Sequence, residues 1–167
     1  WQIIPSLRVG NTVVIKASEF TPIGSLEMVR LINEVLPPGV LNTVSGAGDV
    51  GSWLVEDPRI DNIVFTGSGP TGSKIAAAAG RNLTPVTLEP GGNDAAIVLP
   101  DADPKTVAPG LFWAAFLNMG QTCACVKRIY VHESLHDALV AEMKEIVDRM
   151  PMGDPMAKGT AMGPIQN

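Results

Sequence analysis

Residues Ile60–Gly80 read IDNIVFTGSGPTGSKIAAAAG, and this stretch decides the fold. Ile60–Thr66 (IDNIVFT) contains a β-branched and aromatic run of the kind that forms a buried strand. The run ends in FTGSGPTG (Phe65–Gly72), and Ser68–Ala79 then reads as a long helix stopped at Gly80. Pro70 suits the opening of that helix, where its missing N–H has no partner to lose, and Ser68 or Gly69 suits the cap. A strand that feeds a helix through a Gly-rich turn is half of a βαβ unit, so further strands are expected on either side.

Upstream, Thr12–Lys16 (TVVIK) is a short β-branched strand. After a turn at Thr21–Pro22, the apolar residues Ile23, Leu26, Val29, Ile32, Val35 and Leu36 recur at helical spacing, until Pro37–Pro38–Gly39 stops them. Val40–Val44 is a second strand, followed by SGAGDVG (Ser45–Gly51) and a short helix near Val50–Glu56. Downstream, Pro85–Glu89 is a fourth strand, and PGGND separates it from another apolar run, Ala95–Leu99. A helix from about Pro104 to Leu117, a strand at Arg128–Val131 and an amphipathic helix from about Leu135 to Arg149 complete the reading. On the last helix the apolar face is Leu139, Val140, Met143, Ile146, Val147 and Met150.

This alternation predicts an α/β protein with a Rossmann-like parallel sheet and flanking helices. Gly and Pro cluster at Glu89–Gly92, which places a boundary between a domain at 1–89 and the start of a second α/β domain at 90–167. The chain starts at Trp1, runs directly into a strand-like segment, and ends in MPMGDPMAKGTAMGPIQN without a closing element, so both ends read as cut.

Bulk composition narrows the class. Apolar residues are 46% and charged residues 17% of 167, too apolar for a disordered chain. A net charge of -5 with no basic stripe argues against nucleic acid. No uncharged apolar run approaches the roughly 20 residues that span a bilayer, and WQIIPSLRVG is not a signal peptide. Two cysteines, Cys123 and Cys125, do not make a disulfide framework, and a reducing cytoplasmic setting follows.

Three motifs can carry chemistry. The turn at Phe65–Gly72 presents backbone N–H groups and a helix dipole, which suits a phosphate or simply a capped βα turn. In NMGQTCAC (Asn118–Cys125), Gly120 breaks a helix and leaves Cys123 in an irregular connection. It reads there either as an accessible nucleophile or as a small buried hydrophobe. Glu89 in VTLEPGG ends an apolar strand, where partly dry surroundings would raise its pKa toward that of a general base. The competing reading is a solvated acid.

His132–Glu133–Ser134–Leu135–His136 also matches the H-E-x-x-H zinc pattern, which needs both histidines on one helical face. Val131 runs as strand into His132, and Ser134 with Asp137 forms a capping box. The helix therefore begins after Ser134 and His132 stays outside it. No metal site is expected, since a C-x-C pair offers too few ligands for structural zinc.

Taken together, GNTVVIKASEFTP, FTGS, VTLEPGG and FLNMGQTC resemble the NAD(P)-dependent aldehyde dehydrogenase superfamily, as does the tail KGTAMGPIQN with its T-x-x-G-P pattern. The resemblance covers essentially the whole chain, as part of the cofactor-binding domain and the start of the catalytic one. It implies that Cys123 is the nucleophile and Glu89 the general base. It implies cofactor contacts from Lys16, Ser18 and Glu19 in KASE, from Gly48, from Gly67 and Ser68 at the pyrophosphate, and from Gly91. Trp1, Leu117, Thr122 and Ala124 match positions that line the aldehyde tunnel.

The implied activity is oxidation of an aldehyde to a carboxylic acid through a cysteine thioester. Glu89 favours hydrolysis over transfer to coenzyme A, because acylating relatives commonly lack it. Glu19 favours NAD, with NADP a second option, because a carboxylate repels a 2′-phosphate. The parent is expected to be a homodimer or homotetramer. In this sequence Ala17 stands where the family commonly has proline, and Pro90 where it has leucine. The family's oxyanion asparagine lies upstream of the position of Trp1, and its ribose-binding E-x-F-G-P glutamate lies further on. The contrasting expectation is a non-catalytic remnant or nucleotide-binding module.

Overall fold

A computed structural model describes residues 2–166. The chain forms two compact units, Trp1–Pro90 and Gly91–Asn167.

The first unit runs α1 (Ile3–Arg8), β1 (Val13–Lys16), α2 (Ile23–Ile32), β2 (Leu41–Val44), α3 (Gly48–Glu56), β3 (Ile63–Gly67), α4 (Gly69–Ala79) and β4 (Val86–Pro90). Pairing is parallel: Val13–Lys16 lies beside Leu41–Val44, and Ile63–Gly67 beside Val86–Pro90. Each pair is bridged by one helix, as parallel strands require, because a tight turn cannot reverse the chain twice. Val29 of α2, Leu41 of β2, Val55 of α3 and Ala79 of α4 are buried. Gly72 of α4 is also buried, and a Cβ there would lie 3.7 Å from the Leu88 methyls of β4, so the helix rests closely on its strand.

Two departures from the sequence reading have local causes. The first element is a helix, α1, not a strand-like run. Pro5 falls in its first turn, where the ring is tolerated, and six residues are too few to display a period. Helix α2 ends at Ile32 rather than Leu36. The residue before a proline is pushed away from helical backbone, and Pro37–Pro38 unwinds Asn33–Leu36 into turns that leave Val35 exposed. Asn33 uses this end to donate its side-chain amide to the Leu41 carbonyl, 3.0 Å away.

The second unit runs β5 (Asp94–Val98), α5 (Pro104–Phe116), a turn at Leu117–Gly120, β6 (Val126–Val131), a single 3-10 turn at Glu133–Leu135, and α6 (His136–Arg149). Strands β5 and β6 pair in parallel, with a register shift between Asp94 and Ala95. Its core is Val98, Ala108 and Leu139, covered by Val107, Leu111, Ile129, Val131, Met143 and Ile146. Asp103 caps α5 by accepting from the Thr106 amide at 3.2 Å, ahead of Pro104 in the first turn. On α6 the buried stripe is narrower than the expected face: Leu139, Met143 and Ile146 turn inward, whereas Val140 and Val147 are exposed.

The H-E-x-x-H match dissolves in this geometry. His132 is on extended backbone before α6, where its ring accepts from the Ser134 amide at 3.3 Å. His136 is the first residue of α6. The expected capping box is replaced: His132 caps the 3-10 turn, and Asp137 turns to the His136 ring at 2.8 Å. Among the described residues no helix is long and apolar enough to cross a membrane.

Candidate functional site

In the first unit the residues marked by sequence gather at the carboxyl ends of the strands, the region where open α/β sheets bind ligands. Strand β1 ends at Lys16, opposite Val44 at the end of β2. The Lys16 side chain runs beside α3, with its Cδ 3.9 Å from where a Cβ on Gly51 would stand. Gly48 opens that same helix. Lys16 Nζ pairs with Glu19 Oε2 at 3.0 Å. A hydrogen bond from its own backbone amide, then the Lys16 ammonium, holds the Glu19 carboxyl below its usual range. The Ser18 hydroxyl accepts from the Phe20 amide at 3.4 Å, which fixes the KASE turn.

The second cluster sits at the ends of β3 and β4. Glu89 lies in register with Thr66, and Pro90 with Gly67. The Phe65 ring occupies the space a side chain on Gly67 would need. Ser68 caps α4: its hydroxyl accepts from the Thr71 amide at 3.3 Å and donates to the Thr71 hydroxyl at 2.9 Å. Gln2 reaches over from α1's start to donate to the Thr66 hydroxyl at 2.9 Å. Glu89 is exposed at the end of β4, so the partly dry surroundings expected for it are not seen among the described residues of the first unit.

In the second unit, α5 leads into the loop that carries Cys123. Asn118, Met119 and Gly120 all take left-handed backbone, with φ of 51°, 56° and 75°. That conformation costs most L-residues about 1–2 kcal/mol each. The three-residue reversal drops the chain off α5 into a turn closed by the Cys125 amide on the Thr122 carbonyl at 3.0 Å. Cys123 stands within this turn and is exposed. Cys125 is 2% exposed and directs its thiol at the Leu117 carbonyl, 3.4 Å away. Of the two readings of Cys123, its exposure matches the accessible thiol, whereas its neighbour Cys125 packs as a small buried hydrophobe.

The loop is tied down from several sides. Lys127 Nζ donates to the Gly120 carbonyl. Arg128 Nη2 donates to the Asn93 carbonyl at 2.8 Å, and Asn93 itself has a left-handed φ of 117°. A Cβ on Gly92 would collide with the Cys123 carbonyl, so bare backbone meets bare backbone there. Gln121 bonds both to the left-handed turn and to the tail near Gln166. None of Gly92, Gln121 or Lys127 was marked by sequence. The Gly91–Gly92 pair enters the sequence reading as part of the domain boundary, with Gly91 as a cofactor contact, and not as a neighbour of Cys123.

Of the residues expected to line an aldehyde tunnel, Leu117 and Ala124 are exposed and Thr122 is half-buried. Gly91 is exposed with φ of 77°. Trp1 lies outside the described residues.

The sequence pattern of the aldehyde dehydrogenase family matches residues 1–167. The chain belongs to that family. Phenylacetaldehyde dehydrogenase of Pseudomonas fluorescens is 41% identical over 167 residues, covering 99% of this chain and 33% of that protein. Among solved structures, PnpE of Pseudomonas sp. WBC-3 superposes with a TM-score of 0.96 at 39% identity, covering 100% of this chain and 35% of that one. A mutant of aldehyde dehydrogenase C from Pseudomonas syringae, in complex with NAD+ and octanal, superposes with a TM-score of 0.92 at 37% identity, covering 99% and 34%. This aldehyde dehydrogenase chain thus spans about a third of the length of the relatives it matches.

Proposed function

We propose that the protein carrying this chain oxidises an aldehyde to a carboxylic acid with NAD, using Cys123 as nucleophile and Glu89 as general base. The observation that carries the reading is the exposed Cys123, held in a turn built on three left-handed residues, in a chain of this family. A relative solved with NAD+ and octanal supports the cofactor and substrate class.

The chain's donors fit such a dinucleotide. Lys16 and Glu19 offer an ammonium and a carboxylate to ribose hydroxyls, with Ser18 and Gly48 beside them. Gly67 and Ser68 offer backbone at the head of α4, an 11-residue helix whose dipole favours a diphosphate. Gly91 adds a backbone stretch free of any side chain.

In this mechanism the Cys123 thiolate adds to the aldehyde carbon and gives a tetrahedral thiohemiacetal. The Cys123 backbone N–H donates to its oxyanion. Bound NAD supplies the acceptor for the hydride whose loss turns this adduct into a thioester. Glu89 then takes a proton from water, and the hydroxide attacks the thioester. The acid leaves and the Cys123 thiolate is restored. Leu117, Thr122 and Ala124 border the aldehyde's path. We also propose a homo-oligomeric protein of the cytoplasm, consistent with two unbridged cysteines.

The test mixes the whole protein with NAD and a panel of aliphatic and aromatic aldehydes, follows NADH absorbance, and identifies the acid. NADH formation that vanishes in Cys123→Ser, and acid release that stalls in Glu89→Gln, are the expected results. Equal rates in Cys123→Ser would overturn the reading and favour a nucleotide-binding module.

A further inference from the structure

We propose that Gln121 is a positioning residue that sets the reactivity of Cys123 by clamping the left-handed turn before it to the segment around Gln166. This rests on the reading of Cys123 as nucleophile.

Three consecutive left-handed residues, Asn118–Gly120, aim the chain into the Cys123 turn, although two of them carry side chains. Such a turn holds only if its surroundings over-determine it. Gln121 does so with three of its groups. Its backbone amide donates to the Asn118 carbonyl at 3.0 Å. Its side-chain Nε2 donates to the same carbonyl at 3.2 Å. Its own carbonyl accepts from Asn118 Nδ2 at 3.4 Å. The fourth group faces elsewhere: Gln121 Oε1 accepts from the Gln166 backbone amide at 2.7 Å.

One side-chain amide therefore bridges two segments 45 residues apart. The tail it holds is itself ordered, by a parallel bridge between Met152 and Met162 and by the Ala161 and Met162 amides on the Pro151 carbonyl at 2.9 and 3.2 Å. Gln121 is two residues from Cys123, so movement of its amide translates directly into movement of the thiol. Side chains that lock a reacting group within a fraction of an ångström act on rate more than on binding.

The whole protein is compared with Gln121→Met, which keeps the length and loses both side-chain bonds. It is also compared with Gln121→Glu, which keeps an acceptor for Gln166 and loses the donor to Asn118. Three quantities are read: the rate of Cys123 alkylation by iodoacetamide across pH, by peptide mass spectrometry; kcat and KM separately; and Tm. We expect Gln121→Met to lower the alkylation plateau and kcat by about tenfold to a hundredfold, with KM nearly unchanged. Gln121→Glu should fall between it and wild type. A wild-type alkylation plateau in Gln121→Met overturns the proposal, as does a loss that tracks Tm in both variants. If Gln121→Met does not fold, Gln121→Glu decides alone, and a wild-type plateau there overturns it. Alkylation needs no aldehyde or NAD. Failure of the dehydrogenase reading, seen as activity surviving in Cys123→Ser, is therefore distinct from failure of this one.

Discussion

Gly92 and Cys123 meet backbone to backbone: a Cβ on Gly92 would stand 2.7 Å from the Cys123 carbonyl carbon and 3.0 Å from its Cα. Any side chain at 92 must push the Cys123 turn away. Gly91, its neighbour, has open space around it and is constrained only by a φ of 77°.

Substituting these two glycines should separate the effects. Gly92→Ala should destabilise by about 1–3 kcal/mol through overpacking and depress Cys123 alkylation. Gly91→Ala should cost about 1–2 kcal/mol from left-handed strain alone and leave alkylation near wild type. Chemical denaturation with alkylation kinetics measures both, and equal alkylation in the two variants would contradict the packing argument.

The cysteines should respond unequally to a thiol reagent. Iodoacetamide under native conditions is expected to label Cys123 and spare Cys125 until the protein unfolds, because only Cys123 is exposed. Peptide mapping reads the ratio, and comparable labelling of both would refute the burial of Cys125.

Core and surface positions on α6 are predicted to differ sharply. Leu139→Ala should lose about 2–5 kcal/mol, since Leu139 is 2% exposed in the core with Val98 and Ala108. Val140→Ala, at 52% exposed, should change stability by no more than about 0.5 kcal/mol. Urea midpoints test the contrast.

Asp57 should titrate low. Hydrogen bonds from the Arg59 side chain and then its backbone amide bring the Asp57 pKa from 3.8 to about 2. Because the folded pKa is depressed, its contribution is present above pH 3.8 and is lost as pH falls toward about 2. Carboxyl NMR shifts in wild type and Arg59→Ala measure this, with the midpoint expected to rise toward 3.8 in the variant.

Glu19→Gln should shift cofactor preference toward NADP. Removing a carboxylate beside the proposed ribose site removes its repulsion of a 2′-phosphate, and about tenfold in relative KM corresponds to ~1.4 kcal/mol. Steady-state kinetics with both cofactors decides it, and an unchanged ratio would remove Glu19 from the ribose site.

What sequence made legible was local. The β3–turn–α4 passage and the Ser68 cap each follow from residues a few positions apart, whereas the break expected at Gly120 comes earlier, with α5 ending at Phe116 and left-handed backbone starting at Asn118. Glu89 is exposed in the first unit, since an apolar strand end implies burial only where another element covers it. Helix α1 was missed for want of a period, and the Ser134–Asp137 box failed because the His132 ring competed for the same amide. The approach of Gly92 to Cys123 spans 31 positions in sequence (123 − 92), and no spacing rule encodes a contact of that kind.

The burial of Cys125 has a consequence for oxidative chemistry. A cysteine oxidised to sulfenic acid is commonly rescued by a second thiol nearby, which closes a disulfide. Cys125 is the other cysteine of this chain. It is sealed from solvent, with its sulfur turned to the Leu117 carbonyl, and cannot serve in that way without unfolding the loop. A disulfide from Cys125 to an oxidised Cys123 would therefore require the loop to open first.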